Sequence, residues 1–450
     1  MELPPGWALA AVSELIGAGG LFVDGDWVES KDQDPSGDIR LTQLADVGDG
    51  EWRNRSDRHM TAETAERLRC TELKAGDVLV ARMPDPLGRA CRFPGDTKRC
   101  VTVVDVAVIR PGPRGVKADW LMWSINSPLV RTRIEALQAG TTRKRISRKN
   151  LGGIEIAVPP VVEQERIVAA IEEAFSKLDA GEQALLRARR LAALLRKSVL
   201  LAAVPASIPT GWAMTTIGEA GRVQLGRQRH PDWHNGPNMR PYLRVANVFE
   251  GRIDTTDVDE MHFDEDVFDR YRLQNGDILL NEGNTPNMVG RAAMYEGDPS
   301  ESAFTKSLIR FQAGDGVDPA WALLVFRRHL HAGRFMREAR ITTNISHLPV
   351  IRLKPIEFPV PPLSEQLRIV DEVESQMSFV SACARDIATG LIKSTALRRS
   401  VLKTAFDGKL VPQVPSDEPA SLLLERIRNE RPESEPAALA RSRRKKTEAL

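Results

Sequence analysis

The chain repeats itself. Pro5-Gly6-Trp7 returns as Thr210-Gly211-Trp212, and Leu73-Lys74-Ala75-Gly76-Asp77-Val78-Leu79 returns as Leu273-Gln274-Asn275-Gly276-Asp277-Ile278-Leu279. Gly88-Arg89-Ala90 pairs with Gly290-Arg291-Ala292, and Val158-Pro159-Pro160-Val161-Val162-Glu163-Gln164 pairs with Val360-Pro361-Pro362-Leu363-Ser364-Glu365-Gln366. From there to Ser198-Val199-Leu200 against Ser400-Val401-Leu402 the two copies run without a gap. Internal similarity of this kind means that one supersecondary plan is built twice, so any reading of one copy is tested by the other.

The gapless part reads as helix. Apolar residues recur at three and four spacings, with Ile167, Ile171, Phe175, Leu178, Leu185, Leu195 and Val199 in one copy. Ile369, Val373, Met377, Val380, Ala384, Ile387, Leu391 and Val401 match them in the other. Each double proline stops a strand, and Glu163 and Glu365 then place negative charge in a first helical turn. At 1.5 Å per residue, about forty residues make a rod of roughly 60 Å. One apolar stripe of that length needs a partner, and its own repeat, running antiparallel, is the partner at hand. The alternative is two separate core helices, whose usual length is nearer a dozen residues.

Ahead of each helix lies a segment of about 150 residues with short strand-like runs, such as Val101 to Ile109 and Ile278 to Leu280, punctuated by turn residues. The fold class is therefore α+β: two mixed α/β modules in pseudo-two-fold tandem repeat, separated by two long antiparallel coiled-coil helices. In the Gly-Asp-hydrophobic-Leu motif, Gly76 and Gly276 supply a permissive backbone and Asp77 and Asp277 bond it locally, a structural role.

Three pairs of segments carry polar chemistry that the frame does not need. The loops after the buried strands differ between copies, Val80 to Leu87 in one and Asn281 to Met288 in the other. Here and in the following Gly-Arg pairs, Arg82, Arg89, Asn281, Asn284, Asn287 and Arg291 are the amide and guanidinium types that pair bidentately with purine edges. Ordinary variable surface loops are the competing reading. Just before each strand-Pro-Pro-helix unit, Thr142, Arg143, Lys144, Arg145, Ser147, Arg148 and Lys149 make a basic run with no acid, suited to phosphates, unless it is only a solvated face. Its counterpart contains Thr343, Asn344, Ser346 and His347, which is hydroxyl and amide chemistry. The third and weakest pair is the strand-like Ile39 to Val47 beside Tyr242 to Val248, which turns Arg40, Thr42, Gln43, Arg244 and Asn247 outward or into a groove.

Bulk properties narrow the class. The 450 residues are 42% hydrophobic and 28% charged, as in a soluble globular protein of two or three domains. The net charge of +2, from 63 basic and 61 acidic residues, announces no nucleic-acid partner, so charge distribution must decide. Met1-Glu2-Leu3-Pro4-Pro5 lacks a secretory start, and the apolar run from Leu191 to Val204 is broken by Arg196, Lys197 and Ser198, so a cytoplasmic location is expected. Cys70, Cys91, Cys100 and Cys383 form no CxxC pair, and neither a disulfide nor a metal is expected.

Together these pieces resemble the specificity subunits of type I restriction-modification systems. The carriers are the two Val-Pro-Pro segments with Glu163-Gln164 and Glu365-Gln366, the paired Gly-Asp-hydrophobic-Leu motifs, and the ending Ala405-Phe406-Asp407-Gly408-Lys409-Leu410-Val411-Pro412-Gln413 followed by Asp417-Glu418-Pro419-Ala420. The resemblance implies target recognition domains at 1–157 and 206–359, conserved long helices at 158–205 and 360–411, and a C-terminal helix and basic tail at 412–450. It further implies that each recognition domain reads one half of a bipartite DNA site while the helices set the gap. The helices would also dock two methyltransferase subunits, here through Glu163, Gln164, Arg166, Glu365, Gln366 and Arg368. S-adenosylmethionine would belong to the methyltransferase, and ATP and Mg to any motor-nuclease partner, so this chain is expected to be non-catalytic and without a cofactor.

Motif absences agree with that division. There is no Asn/Asp-Pro-Pro-Tyr, no phosphate-binding Gly-x-x-x-x-Gly-Lys-Ser/Thr and no Gly-x-Gly-x-x-Gly. Pro84-Asp85 with Asp96-Thr97-Lys98 has the form of a metal-dependent nuclease site, but the second copy has Pro286-Asn287 and Asp298-Pro299-Ser300 there. His230 with His234, and His329 with His331, lack a third ligand at a suggestive spacing. A non-DNA coiled-coil scaffold joining protein partners is the alternative function. In the tail, Ser416-Asp417-Glu418-Pro419 reads as a helix start with an apolar face of Leu422, Leu423 and Ile427, and Arg441 to Lys446 is a basic end.

Overall fold

The computed structural model describes residues 3–84, 86–140, 144–205, 207–342 and 345–430. Asp85, Thr142, Arg143, Thr343, Asn344 and the basic stretch 441–446 lie outside them. The chain forms two compact units, Met1–Gln183 together with the chain from Gly390 onward, and Ala184–Thr389. Two helices of 43 and 44 residues, Val161–Ala203 and Leu363–Phe406, each begin in one unit and end in the other.

Each unit holds one copy of the same sheet plan. In unit 1 Ala8–Ala11 pairs antiparallel with Glu155–Val158, in the register Ala8 to Val158. In unit 2 Ala213–Thr216 pairs with Glu357–Val360, in the register Ala213 to Val360. A four-stranded antiparallel sheet follows, ordered Leu21–Asp24, Val106–Arg110, Val78–Ala81 and Ala90–Arg92 in unit 1. Unit 2 repeats it with Gly221–Leu225, Leu308–Ala313, Ile278–Asn281 and Ala292–Met294. A small sheet completes each module, with Ile39–Thr42 parallel to Cys100–Thr102 and Met239–Leu243 parallel to Ala303–Phe304.

The strand-like run from Val101 to Ile109 is thus two strands in two sheets, broken at Val103 to Asp105, because a single extended run cannot pair in both. The longer runs of the third candidate pair also stop early. Ile39–Thr42 passes into a tight turn at Leu44–Asp46, and Met239–Leu243 ends before Arg244.

The Gly-Asp turns are as their chemistry requires. Gly76 and Gly276 have φ of 95° and 92°, a region open to glycine, and Asp77 and Asp277 accept the backbone N–H of Lys74 and Gln274 at 2.8 and 2.9 Å. Arg110 then grips Asp77 with two N–H groups.

The long helices supply core to both units. In unit 1 Ile167 and Ile171 from the first helix, and Leu402, Ala405 and Phe406 from the second, pack with Trp7, Trp120 and Trp123. In unit 2 Leu200 in the last turn of the first helix and Val204 just past its end join Ile369, Val370, Val373 and Met377 at the start of the second, around Trp321, Phe311 and Phe326. Both pairings are antiparallel. In unit 1 Arg398 stacks on Phe175 at 5.1 Å and pairs with Asp179.

The segment after the second helix also belongs to unit 1. Ala420 donates to the Gly6 carbonyl at 2.9 Å, and Leu423, Leu424 and Ile427 of the helix Ala420–Asn429 are buried there. The buried face uses Leu424 where the sequence suggested Leu422, which is 44% exposed. Asp417 caps nothing and pairs instead with Arg166 at 2.6 Å. No helix among the described residues is long and apolar enough to cross a membrane.

Candidate nucleic-acid interface

Two of the three candidate segments meet in each unit. In unit 1 the loop after Val78–Ala81 meets the basic run through the Arg82 carbonyl, which accepts Ile146 N–H at 3.1 Å. Ala139 and Arg145 exchange both backbone bonds at 2.9 Å, so the basic run closes a hairpin beside that loop. In unit 2 the Glu282 carbonyl accepts Leu348 N–H at 2.7 Å, and strands Arg340–Thr342 and Ile345–His347 form the matching hairpin. There Gly283–Asn284 adds itself as a third strand.

The two hairpins stand in the same place and present different chemistry. Lys144, Arg145 and Lys149 are exposed in unit 1. Ser147 caps the short helix Arg148–Gly152 by accepting Asn150 N–H at 3.0 Å. Beneath them Arg82 pairs with Asp24 at 2.9 Å, and Arg148 lies 3.9 Å from the same carboxylate. Burial above all, with smaller contributions from the neighbouring Arg145 and Arg148 guanidiniums, pushes the Arg82 pKa down against the opposing pull of Asp24 and Asp105. In unit 2 His347 Nδ1 meets Glu282 at 3.0 Å, Asn284 is half-buried and Asn287 is exposed. Arg291 lies over the Phe249 ring at 4.8 Å. The first copy offers ammonium and guanidinium groups, and the second offers amides and an imidazole beside the exposed guanidinium of Arg340.

Other predicted contact residues have internal duties. Arg89 is 4% exposed and donates to the carbonyls of Val47, Leu44, Pro86 and Met83 at 2.6, 2.7, 3.1 and 3.3 Å. Arg82, Thr42, Asn281 and Ser346 are buried as well, so none of them presents an edge to a base in this conformation. Arg40 is held by Asp96 at 2.7 Å and Asp46 at 3.5 Å, and Arg244 by Asp257 and Asp259, both at 2.9 Å. Asn247 spends its whole amide on Arg244 N–H and the carbonyls of Asp254 and Asp257. Gln43 is half-buried beside Ser56. The third candidate pair is therefore corrected to framework, since each guanidinium already faces two carboxylates.

A second correction concerns the start of each long helix. Trp7 Nε1 donates to Glu163 and Trp212 Nε1 to Glu365, each at 3.1 Å. Gln164 accepts Lys117 N–H at 2.9 Å and donates to the Pro159 carbonyl at 3.0 Å. Gln366 accepts Asp318 N–H at 2.9 Å and donates to Pro361 and Gly316 at 2.8 and 2.9 Å. Lys117 and Asp318 are the residues that begin the helices Ala118–Asn126 and Pro319–His331. The Gly-Trp and Pro-Pro-x-x-Glu-Gln motifs are thus two halves of one clamp, built twice. Burial raises the Glu163 carboxyl pKa above its ordinary range. Glu163, Gln164 and Gln366 are buried, Glu365 is half-covered, and Arg166 is taken by Asp417, which leaves Arg368, paired with Glu372, as the one exposed member of the predicted docking set.

The chain is 24% identical over 336 residues to the type I restriction enzyme StySPI specificity subunit of Salmonella potsdam, covering 70% of this chain and 72% of that one. It is equally 24% identical over 343 residues to the EcoKI specificity subunit of Escherichia coli K12, covering 72% and 74%. The chain is a relative of the type I restriction enzyme specificity subunits. No protein-family model matches it. The fold of this specificity-subunit relative is also that of the HsdS subunit from Thermoanaerobacter tengcongensis, with a TM-score of 0.59 at 19% identity over 91% of this chain and 98% of that one. A chain from a structure described as the basis of complex assembly and conformational transition of the type I R-M system is more similar still. Its TM-score is 0.73 at 18% identity, over 91% and 100%.

In this specificity-subunit relative two of the candidate histidines have separate partners. His329 is buried on the Glu357 carbonyl at 2.9 Å, and His331 pairs with Glu250 at 3.0 Å. Asp96, from the nuclease-like motif, is the partner of Arg40. Among the described residues no three metal-binding side chains are grouped. One further basic surface lies outside the three candidate pairs: Arg187, Arg189, Arg190 and Lys197 are exposed on the first long helix. Its signal is the absence of any acid between Glu182 and Glu219.

Proposed function

We propose that the chain is the non-catalytic, sequence-specific DNA-binding subunit of a type I restriction-modification complex. Each module reads one half of a bipartite double-stranded target, and the long helices set the gap and dock two methyltransferase subunits. The observation that carries this reading is the paired hairpin: one framework position is filled by Lys144, Arg145 and Lys149 in unit 1 and by Asn284, Asn287 and His347 in unit 2. Lysine and arginine fit phosphates and guanine, whereas amides fit adenine, so one scaffold offers two chemistries of recognition. Thr142, Arg143, Thr343 and Asn344 lie outside the described residues and are proposed with them from the sequence alone.

Chemistry is assigned to partners. S-adenosylmethionine belongs to the methyltransferase subunits, and ATP and Mg to any motor-nuclease subunit. The helices offer exposed side chains for docking in place of the buried clamp residues. The decisive test is methylation mapping of DNA from cells carrying the complete system. It should yield a split motif with methylated adenine in each half, and a continuous motif would refute the two-module reading. Absence of any sequence-selective mobility shift, with methyltransferase present, would favour a scaffold of protein partners instead.

A further inference from the structure

The second half of the first long helix is a second basic stretch of the chain. Arg187, Arg189, Arg190, Arg196 and Lys197 fall in a run without a single acid. In unit 2 this half-helix lies beside the first half of the second long helix. The two leave a groove of about 560 Å³ lined by Leu191, Leu194, Leu195, Phe379, Cys383 and Ile387. Leu191, Leu194 and Phe379 are 65%, 63% and 67% exposed, which is costly for three large apolar side chains in one place. At 3.6 residues per turn, Arg187, Arg190, Leu194 and Lys197 form one stripe, so basic heads stand along the groove's edge. Arg187, Arg190 and Lys197 have no salt bridge among the described residues. An apolar floor with a basic rim is complementary to an amphipathic helix whose apolar stripe is flanked by acids.

The repeat adds a comparison. In the gapless register Leu191, Leu194, Phe379 and Cys383 correspond to Lys393, Ala396, Lys177 and Gly181. At these four positions unit 1 carries two lysines and two small residues, while Leu397, Leu178 and Leu185 keep the apolar character of Leu195, Val380 and Ile387, and Lys177 is already paired with Glu173 at 2.7 Å. Two copies of one partner meeting these surfaces meet unlike chemistry.

We infer that the two methyltransferase docking positions are unequal, and that the groove of unit 2 takes an acid-flanked helix of the first methyltransferase subunit before the second binds at unit 1. This rests on the proposed role of the helices in docking methyltransferase. Titration of the full chain with its methyltransferase subunit, followed by native mass spectrometry and sedimentation, should show a 1:1 complex over a wide range before 2:1, with dissociation constants at least tenfold apart. Phe379→Glu with Leu194→Glu, both at exposed positions and so compatible with folding, should weaken the tight step at least tenfold. Lys177→Glu with Lys393→Glu should leave that step unchanged. Two equal steps, or an unmoved tight step in the folded groove variant, overturn the inference while leaving docking intact. A failure of wild type to bind any methyltransferase overturns both. If Arg187→Glu with Arg190→Glu lowers the salt dependence of DNA binding and leaves assembly untouched, the basic run serves DNA and the inference is wrong.

Discussion

Replacing Gln366 by methionine isolates the clamp at the head of the second long helix. Methionine keeps the volume of the side chain, so the cavity term is small. Three hydrogen bonds go, leaving Asp318 N–H and the buried Pro361 carbonyl without their partner, while the carbonyl of exposed Gly316 finds water. Each buried group left unsatisfied costs about 1–3 kcal/mol, so the variant should lose about 3 kcal/mol. For a unit of about 200 residues that is a fall of about 6–12 °C in unfolding temperature, read by differential scanning calorimetry. Gln164→Met should do the same to unit 1, through Lys117 N–H and the Pro159 carbonyl. Methyltransferase binding, measured well below the transition, should be unaffected. A variant with wild-type stability that no longer binds methyltransferase would refute the clamp and return Gln366 to the docking role its polarity suggests.

Arg89→Ala should cost unit 1 about 3 kcal/mol, because four carbonyls lose one guanidinium, and Arg89→Lys should recover less than half, since a single ammonium cannot span them. Wild-type melting with an altered base preference would contradict this. Lys144→Ala with Arg145→Ala should reduce the slope of log affinity against log salt by about 2 in a fluorescence-anisotropy titration, at roughly 0.9 per phosphate contact. An unchanged slope excludes these side chains from the phosphate contacts. Burial holds the His329 pKa down at about 4. The unfolded chain therefore takes this proton first, and its contribution is full above pH 6.5 and lost as pH falls toward 4. The loss should be about 2 kcal/mol between pH 7 and pH 5, in urea unfolding of unit 2, and His329→Phe should flatten it. In unit 1 burial raises the Asp26 pKa to about 6, so that group works in the opposite sense as pH falls below 6.

What the sequence made legible is what depends on local periodicity. The long helices announce themselves through apolar spacing and gapless alignment, and Gly76-Asp77 and Gly276-Asp277 through turn chemistry that needs only neighbouring residues. The clamp was visible as a motif but open to misreading. Glu163 meets Trp7 156 positions away and Gln164 meets Lys117 47 away, and no local rule predicts that such polar side chains are buried. Arg89 and Arg40 misled for the same reason, because a guanidinium satisfied by distant carbonyls or carboxylates looks in sequence like one free to read DNA. The hairpins lay within reach, since the segments before both Val-Pro-Pro motifs differ sharply inside a kept frame. That each meets the loop after the buried strand is tertiary information.

The discontinuity of unit 1 sets an order of events at the ribosome. Its first module is synthesised first, but Trp120, Ile167 and Ile171 are to be covered by Leu402, Phe406, Leu423 and Ile427. Unit 2, one uninterrupted stretch, can close before those residues exist. At 5–20 residues per second, the roughly 240 residues from Ala184 to Ile427 take about 10–50 s to make. For that interval the nascent first module carries an open apolar face that its own chain cannot yet shield. The early half of this protein is therefore the natural client of ribosome-associated chaperones, and the usual rule that N-terminal domains finish first is reversed.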